Sequence, residues 1–218
     1  MKTDYQLGNK IHEFLIKKGV EIPMTGELKN KDIKKKNISK FFANIMKELN
    51  LDLKDDSLKG TPDRVSKMFI DEIFYGLDYN LFPKCTVIDN KMKYDEMVTV
   101  DKINLSSSCE HHFVVIDGYA TVSYIPRNKV IGLSKINRII DFFSKRPQIQ
   151  ERLTEQIFWT LSYILETENI AVKIKAVHYC VKARGVKDVT SKTITSKYGG
   201  KFNLANYKNE FLTYINTH

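Results

Sequence analysis

Cys109-Glu110-His111-His112 and His178-Tyr179-Cys180 hold three of the chain's five histidines and two of its three cysteines. Thiolate and imidazole are the donors that a borderline-soft ion such as zinc takes as ligands. If both segments serve one ion, the fold must bring together residues about seventy positions apart. It must also bend where they meet. Cys109 and His112 are three apart, so on a straight strand their side chains point to opposite faces, and a bulge, tight turn or first helical turn is required. Cys180 then supplies the third ligand, and the fourth position is left for water.

Two plainer readings stand beside this one. In the first, the histidines are ordinary partly buried side chains and the cysteines small core hydrophobes. In the second, Cys85, in the loop-like segment FPKCT, completes a closed structural site, although such sites usually draw ligands from CxxC-like pairs. The open site is preferred because five candidate residues fall within seven positions of two segments. His111 and His178 are then left to carry protons near neutral pH or to orient a ligand. Base deamination is disfavoured, since the H-x-E and P-C-x-x-C signatures of zinc deaminases are absent.

The chain has 218 residues and a formal net charge of +9, which points to an anionic partner. The lysine run from Lys29 to Lys36 reads as a solvated linker. No aromatic-interleaved basic stripe accompanies it, so nucleic acid is not the expected partner. No apolar run approaches the roughly 18 residues of a membrane span, and MKTDYQLGNKIHEF lacks a secretory h-region. The expectation is a cytoplasmic protein with no membrane partner. Three widely spaced cysteines do not make a disulfide framework.

Helical spacing runs through residues 5–18 with Ile11, Phe14 and Leu15, and through 38–49 with Ile38, Phe41, Phe42, Ile45, Met46 and Leu49. A third helix starts with Thr61 as N-cap and Pro62 at its first position, followed by Val65, Met68, Phe69 and Ile73. A boundary near residue 95 separates this helical region, 1–95, from a domain over 96–218. There the period becomes two. HFVVIDGYATVSYIP reads as a hairpin turning at Asp117-Gly118. NIAVKIKAVHYCVKARG reads as one strand on which Ile170, Val172, Ile174 and Ala176 share a face with His178, Cys180, Lys182 and Arg184. Between them lie a helix over 134–144 with Ile136, Ile139, Ile140 and Phe143, and another opened by Pro147. The fold class is α+β.

Lys135 and Arg138 share one side of a helix start, where an anion is favoured, and Arg184 extends from the metal segment. Several cations beside a metal site suit a polyphosphate. Glu151, read alone, is a favourable charge near a helix N-terminus.

At this point the motifs themselves resemble a known family. CEHHFVVIDGYATVSYIP, VIGLSKINRIIDFFSKRPQIQERLTEQI and AVHYCVKARGV resemble GTP cyclohydrolase I. The likeness extends through LDLKDDSLKGTPDRVSKMFIDEIFYGLDY and weakens in roughly the first 35 residues and the last dozen. It implies the tunnelling fold, an antiparallel sheet with two helices on one face, closed into a barrel by assembly into a decamer of two pentamers. It implies Zn2+ held by Cys109, His112 and Cys180. It further implies His111 and His178 as an acid/base pair, with Ser134 assisting a later sugar rearrangement. Glu151 would anchor the guanine edge, and Lys135, Arg138 and Arg184 would contact the triphosphate of GTP. Arg64, in TPDR, would reach a neighbouring subunit's substrate. The implied reaction opens the GTP imidazole ring at C8, releases formate and yields 7,8-dihydroneopterin triphosphate, entering tetrahydrofolate and pteridine synthesis. Two rivals are another tunnelling-fold pteridine or deazaguanine enzyme and a zinc-stabilised nucleic-acid-binding module. The first is disfavoured by the CEHH and HYC pairing with Glu151, the second by the lack of a nucleic-acid motif.

Overall fold

Helix α1 (Tyr5–Lys17) begins where the Asp4 carboxylate accepts the Leu7 amide at 3.0 Å, and it buries Ile11 and Leu15. The protein's structure, a computed structural model, describes residues 2–26 and 29–216. Helix α2 (Lys31–Glu48) is capped by Asn30, whose side-chain oxygen accepts the Asp32 amide at 2.8 Å. The lysine run expected as a linker is therefore mostly the first turns of a helix, and Lys35 pairs with Asp71 at 2.6 Å. The Asn30 cap starts the helix and its packing against the following helical segment holds it, which a local charge run does not reveal. Only Met46 of the expected α2 stripe is buried, while Phe41, Ile45 and Leu49 face outward. Helix α3 (Thr61–Lys67) has Gly60 rather than Thr61 at its N-cap, and it runs into a π-helical turn, Met68–Ile73.

Among the described residues the strands are, in chain order, β1 (Val87–Asp89), β2 (Val98–Cys109), β3 (Val115–Tyr124), β4 (Lys129–Ile131), β5 (Pro147–Gln148), β6 (Ile170–His178) and β7 (Thr193–Tyr198). Helices α4 (Leu133–Ser144), α5 (Gln150–Leu165), α6 (Tyr179–Lys182) and α7 (Ala205–Asn216) complete the set. The main sheet has the order β5-β2-β3-β6-β7, antiparallel except where β5 lies parallel to the end of β2. Strands β1 and β4 form a separate ribbon.

Helices α4 and α5 cover one face of the sheet. Their Ile136, Ile139, Ile140, Phe143, Leu153, Ile157 and Leu161 are buried in one cluster with Leu105, Ala120, Val122, Ile174 and Ala176 of the strands. The alternation read along β6 thus holds for its apolar half, since Ile170, Val172, Ile174 and Ala176 are all buried. Ile11, Leu15 and Phe82 join the same cluster from the N-terminal part.

Three local expectations are corrected by the sheet. Asp117-Gly118 lies inside β3, with Gly118 between Leu105 and Ala176, and the chain reverses instead between Cys109 and Val115. A Cβ on Gly118 would sit 2.2 Å from the Lys175 carbonyl oxygen, so this glycine admits a neighbouring strand rather than a turn. Strand β6 stops at His178 and turns helical, which takes Cys180, Lys182 and Arg184 off the sheet. Pro147 belongs to β5 and α5 starts at Gln150, because the ladder to Ser108 and Cys109 claims the proline's segment. Among the described residues no helix is long and apolar enough to cross a membrane.

Candidate metal centre and active site

Strand β2 ends at the buried Cys109, and the backbone folds back at once. The Cys109 amide donates to the Val114 carbonyl at 2.8 Å, and the Phe113 amide donates to the Cys109 carbonyl at 2.8 Å. Phe113 takes a φ of 53°, a left-handed conformation that costs a bulky residue energy. Its ring packs on Phe74 at 5.2 Å and Phe69 at 6.3 Å, both in or next to the π-helical turn, and these contacts offset that cost. The required bend is therefore a tight loop braced by aromatic rings.

Two further contacts fix the loop. The Glu110 amide donates to the Gln148 carbonyl at 3.0 Å, and Arg152 of α5 donates to the Glu110 carboxylate. On the other side, the short helix α6 carries Cys180 toward the loop. The donor atoms of Cys109, His112 and Cys180 all lie within 4.8 Å of one another. The Cys109 sulfur is 3.6 Å from His111 Nδ1 and 4.0 Å from His112 Nδ1, while Arg184 meets His112 Nε2 at 2.7 Å. Burial raises the Cys180 thiol above its ordinary range, the adjacent Cys109 adds to this, and Arg184 acts in the opposite direction. Two sulfurs and one imidazole are the right donors, in the right number, for zinc with one open position. Cys85 stands outside this group, its thiol facing the Pro83 carbonyl at 3.4 Å.

A family model for GTP cyclohydrolase I matches residues 38–216. The chain belongs to the GTP cyclohydrolase I family. GTP cyclohydrolase 1 of Pectobacterium carotovorum subsp. carotovorum (strain PC1) is 57% identical over 209 residues, covering 95% of each chain. The enzyme of that name from Erwinia tasmaniensis is 56% identical over 215 residues, 97% of each chain. Among solved structures, the crystal structure of the archaeosine synthase QueF-Like in the apo form is similar at TM-score 0.38. That pair shares 17% identity over 48% of this chain and 95% of the other, too slight a likeness to decide the fold.

Against the GTP cyclohydrolase I expectations, the structure gathers some residues and leaves others apart. His178 closes β6 two residues before Cys180, and its Nε2 lies 2.8 Å from Gln150 Oε1. Burial lowers the affinity of His178 for a proton, and the nearby Glu151 carboxylate pulls the other way. Glu151 sits exposed in the first turn of α5. Lys135 and Arg138 lie in the first turns of α4, close enough to Cys85 to oppose the rise of its thiol. Ser134 is exposed inside α4, whose N-cap is Gly132. Arg64 donates within its own segment, to the Ser57 carbonyl at 3.0 Å and to Thr61 Oγ1 at 3.1 Å. Among the described residues no hydrogen bond or ion pair joins Arg64, Ser134, Lys135 or Arg138 to the Cys–His–Cys group. Gln150, Arg152 and Glu110 carry no sequence signal of the contacts they make here. Glu110 and Arg152 pair across 42 positions, and no local pattern announces such a contact.

Proposed function

We propose that this GTP cyclohydrolase I works through Cys109, His112 and Cys180 as its metal centre, with GTP as substrate. The observation that carries this reading is the convergence of those three donor atoms within 4.8 Å in a chain of this family. A zinc ion bound there supplies a water acidified toward neutral pH, which suits hydrolytic opening at the purine C8. The other side chains bind, orient and move protons.

The Glu151 carboxylate accepts two hydrogen bonds from the guanine N1–H and exocyclic amine, a pair that adenine does not present. Lys135, Arg138 and Arg184 hold the triphosphate. His178 gives a proton to N7 as the ring opens, His111 serves as its acid/base partner, and Ser134 assists the later sugar rearrangement. Formate leaves and 7,8-dihydroneopterin triphosphate results, the first step toward tetrahydrofolate and pteridines.

The reading includes a shared site. Arg64 reaches the phosphates of a neighbouring subunit's substrate, in a decamer of two pentamers whose sheets close into tunnelling-fold barrels. The outward stripe of Phe41, Ile45 and Leu49 on α2 supports self-association, since exposed apolar faces mark contact surfaces. Residues 1–95 form the helical region and 96–218 the catalytic domain of a cytoplasmic enzyme with no nucleic-acid or membrane partner. The zinc-loaded protein incubated with GTP should release formate and a pterin that fluoresces after oxidation. Absence of both products with zinc fully loaded overturns the reading. Glu151→Ala should lose the preference for GTP over ATP, and an unchanged preference removes Glu151 from the guanine site. Light scattering tests the assembly, and an active monomer contradicts the shared site.

A further inference from the structure

Gln150 is the first residue of α5, and its side chain is buried, about 1% exposed. It reaches the ends of β6 and β7, where its amide faces the Ile174 carbonyl at 3.2 Å, the Thr193 carbonyl at 3.1 Å and Thr195 Oγ1 at 3.1 Å. Two carbonyl oxygens can only accept, so the nitrogen of the Gln150 amide must face them. An inverted amide would set its own oxygen against both, with no hydrogen between them.

The hydroxyls around it lead to the same orientation. Thr154 donates to the Gln150 carbonyl at 2.8 Å, which uses its one hydrogen. In the 2.7 Å contact between Thr154 and Thr195, the donor is therefore Thr195. Thr195 Oγ1 then keeps lone pairs toward the Gln150 amide, whose two hydrogens are shared among these three acceptors. With both hydrogens of the amide nitrogen turned to this side, Oε1 of Gln150 is left as a pure acceptor 2.8 Å from His178 Nε2.

We propose that Gln150 is a positioning residue that fixes the His178 tautomer, keeping a hydrogen on Nε2 and confining proton exchange to Nδ1. An acceptor-only oxygen opposite Nε2 admits the neutral ring only as the Nε2–H form. In the imidazolium the same oxygen still accepts from Nε2–H, so the ring keeps its orientation through the transfer. As the proton is donated, the Nδ1–H bond breaks, the N7–H bond forms and the positive charge passes to the substrate. Nε2–H takes no part. This rests on the reading of His178 as proton donor to the purine, and it adds which nitrogen acts and what selects it. Thr154 and Thr195 extend the support from α5 to β7, so a contact made at the sheet edge decides the chemistry of a ring at the end of β6.

The test uses the zinc-loaded full chain labelled with 15N-histidine. Two-bond 15N–1H correlation spectra distinguish the tautomers, and a His178→Gln sample identifies the His178 signals by their loss. The neutral ring should read as Nε2–H in the parent protein. Gln150→Met removes the acceptor at nearly constant shape; the tautomers should then mix, and kcat should fall by about tenfold or more while KM for GTP stays within about twofold. A parent spectrum showing Nδ1–H overturns the proposal even if Gln150→Met fails to fold. Gln150→Met with an unchanged tautomer overturns it as well. If instead His178→Gln opens the GTP ring at full rate, the proton-donor reading fails while the tautomer assignment stands, so the two failures are distinguishable.

Discussion

Arg152 of α5 donates to the carboxylate of Glu110, the residue next to Cys109 of the Cys–His–Cys group. Both side chains are largely shielded from water, at 15% and 25% exposed. The contact ties the metal loop to the helix that also carries Gln150 and Glu151. By holding the loop in its bent form, the contact would lower the ordering that binding an ion must supply.

Arg152→Met should therefore weaken zinc retention by about tenfold or more without unfolding the protein, since outer contacts of a metal site typically carry that much affinity. Competition with a chromogenic chelator measures it. Parent-like retention would show that the aromatic brace on Phe113 suffices.

A second polar pair sits deeper. Arg146 is 0% exposed and donates to Glu21 at 3.1 Å and to the Tyr79 hydroxyl at 3.3 Å, with its guanidinium over the Phe142 and Phe143 rings. It also donates to the Gly76 carbonyl. Glu21→Ala leaves that cation buried without its carboxylate and should cost about 3–5 kcal/mol in urea unfolding. Replacing both partners, as in Glu21→Leu with Arg146→Met, should recover part of the loss because no unpaired charge remains. A double variant less stable than the single one would contradict this.

Gly118→Ala distinguishes a strand from a turn. Its Cβ would meet the Lys175 carbonyl oxygen at 2.2 Å and Ala176 Cα at 2.6 Å, both backbone atoms that cannot move aside cheaply. The expected loss is about 1–3 kcal/mol from overpacking, read from the urea midpoint. A neutral result would mean that β3 and β6 are not in close register there.

The three cysteines should separate by reactivity. Burial pushes the Cys85 thiol up to about 12, so at pH 8 it stays protonated and unreactive, because only thiolate reacts. Chelation followed by diamide should oxidise Cys109 and Cys180 to a disulfide, each thiol giving up its hydrogen to the reagent, and leave Cys85 free. Peptide mapping decides. Three free thiols after that treatment would show that removal of the ion lets the two sulfurs drift apart.

Sequence alone singled out Cys109, His112 and Cys180 as candidate donors, because thiolate and imidazole clustered in two short segments are a distinctive pair. It also determined α1, α4 and most of α5, whose apolar residues recur at the period of a helix regardless of what they pack against. It could not determine where strands meet. Asp117-Gly118 carries a turn signature, yet it lies mid-strand because β6 needs a glycine to approach. Cys180 reads as strand by alternation, yet the chain coils after His178, and that coil brings its sulfur to Cys109. The supporting residues Gln150, Arg152 and Glu110 have no local signal, since each acts on a partner far along the chain. Ligand chemistry is written in single side chains, whereas the bend, the Gln150–His178 contact and the loop anchor depend on distances that exist only after folding.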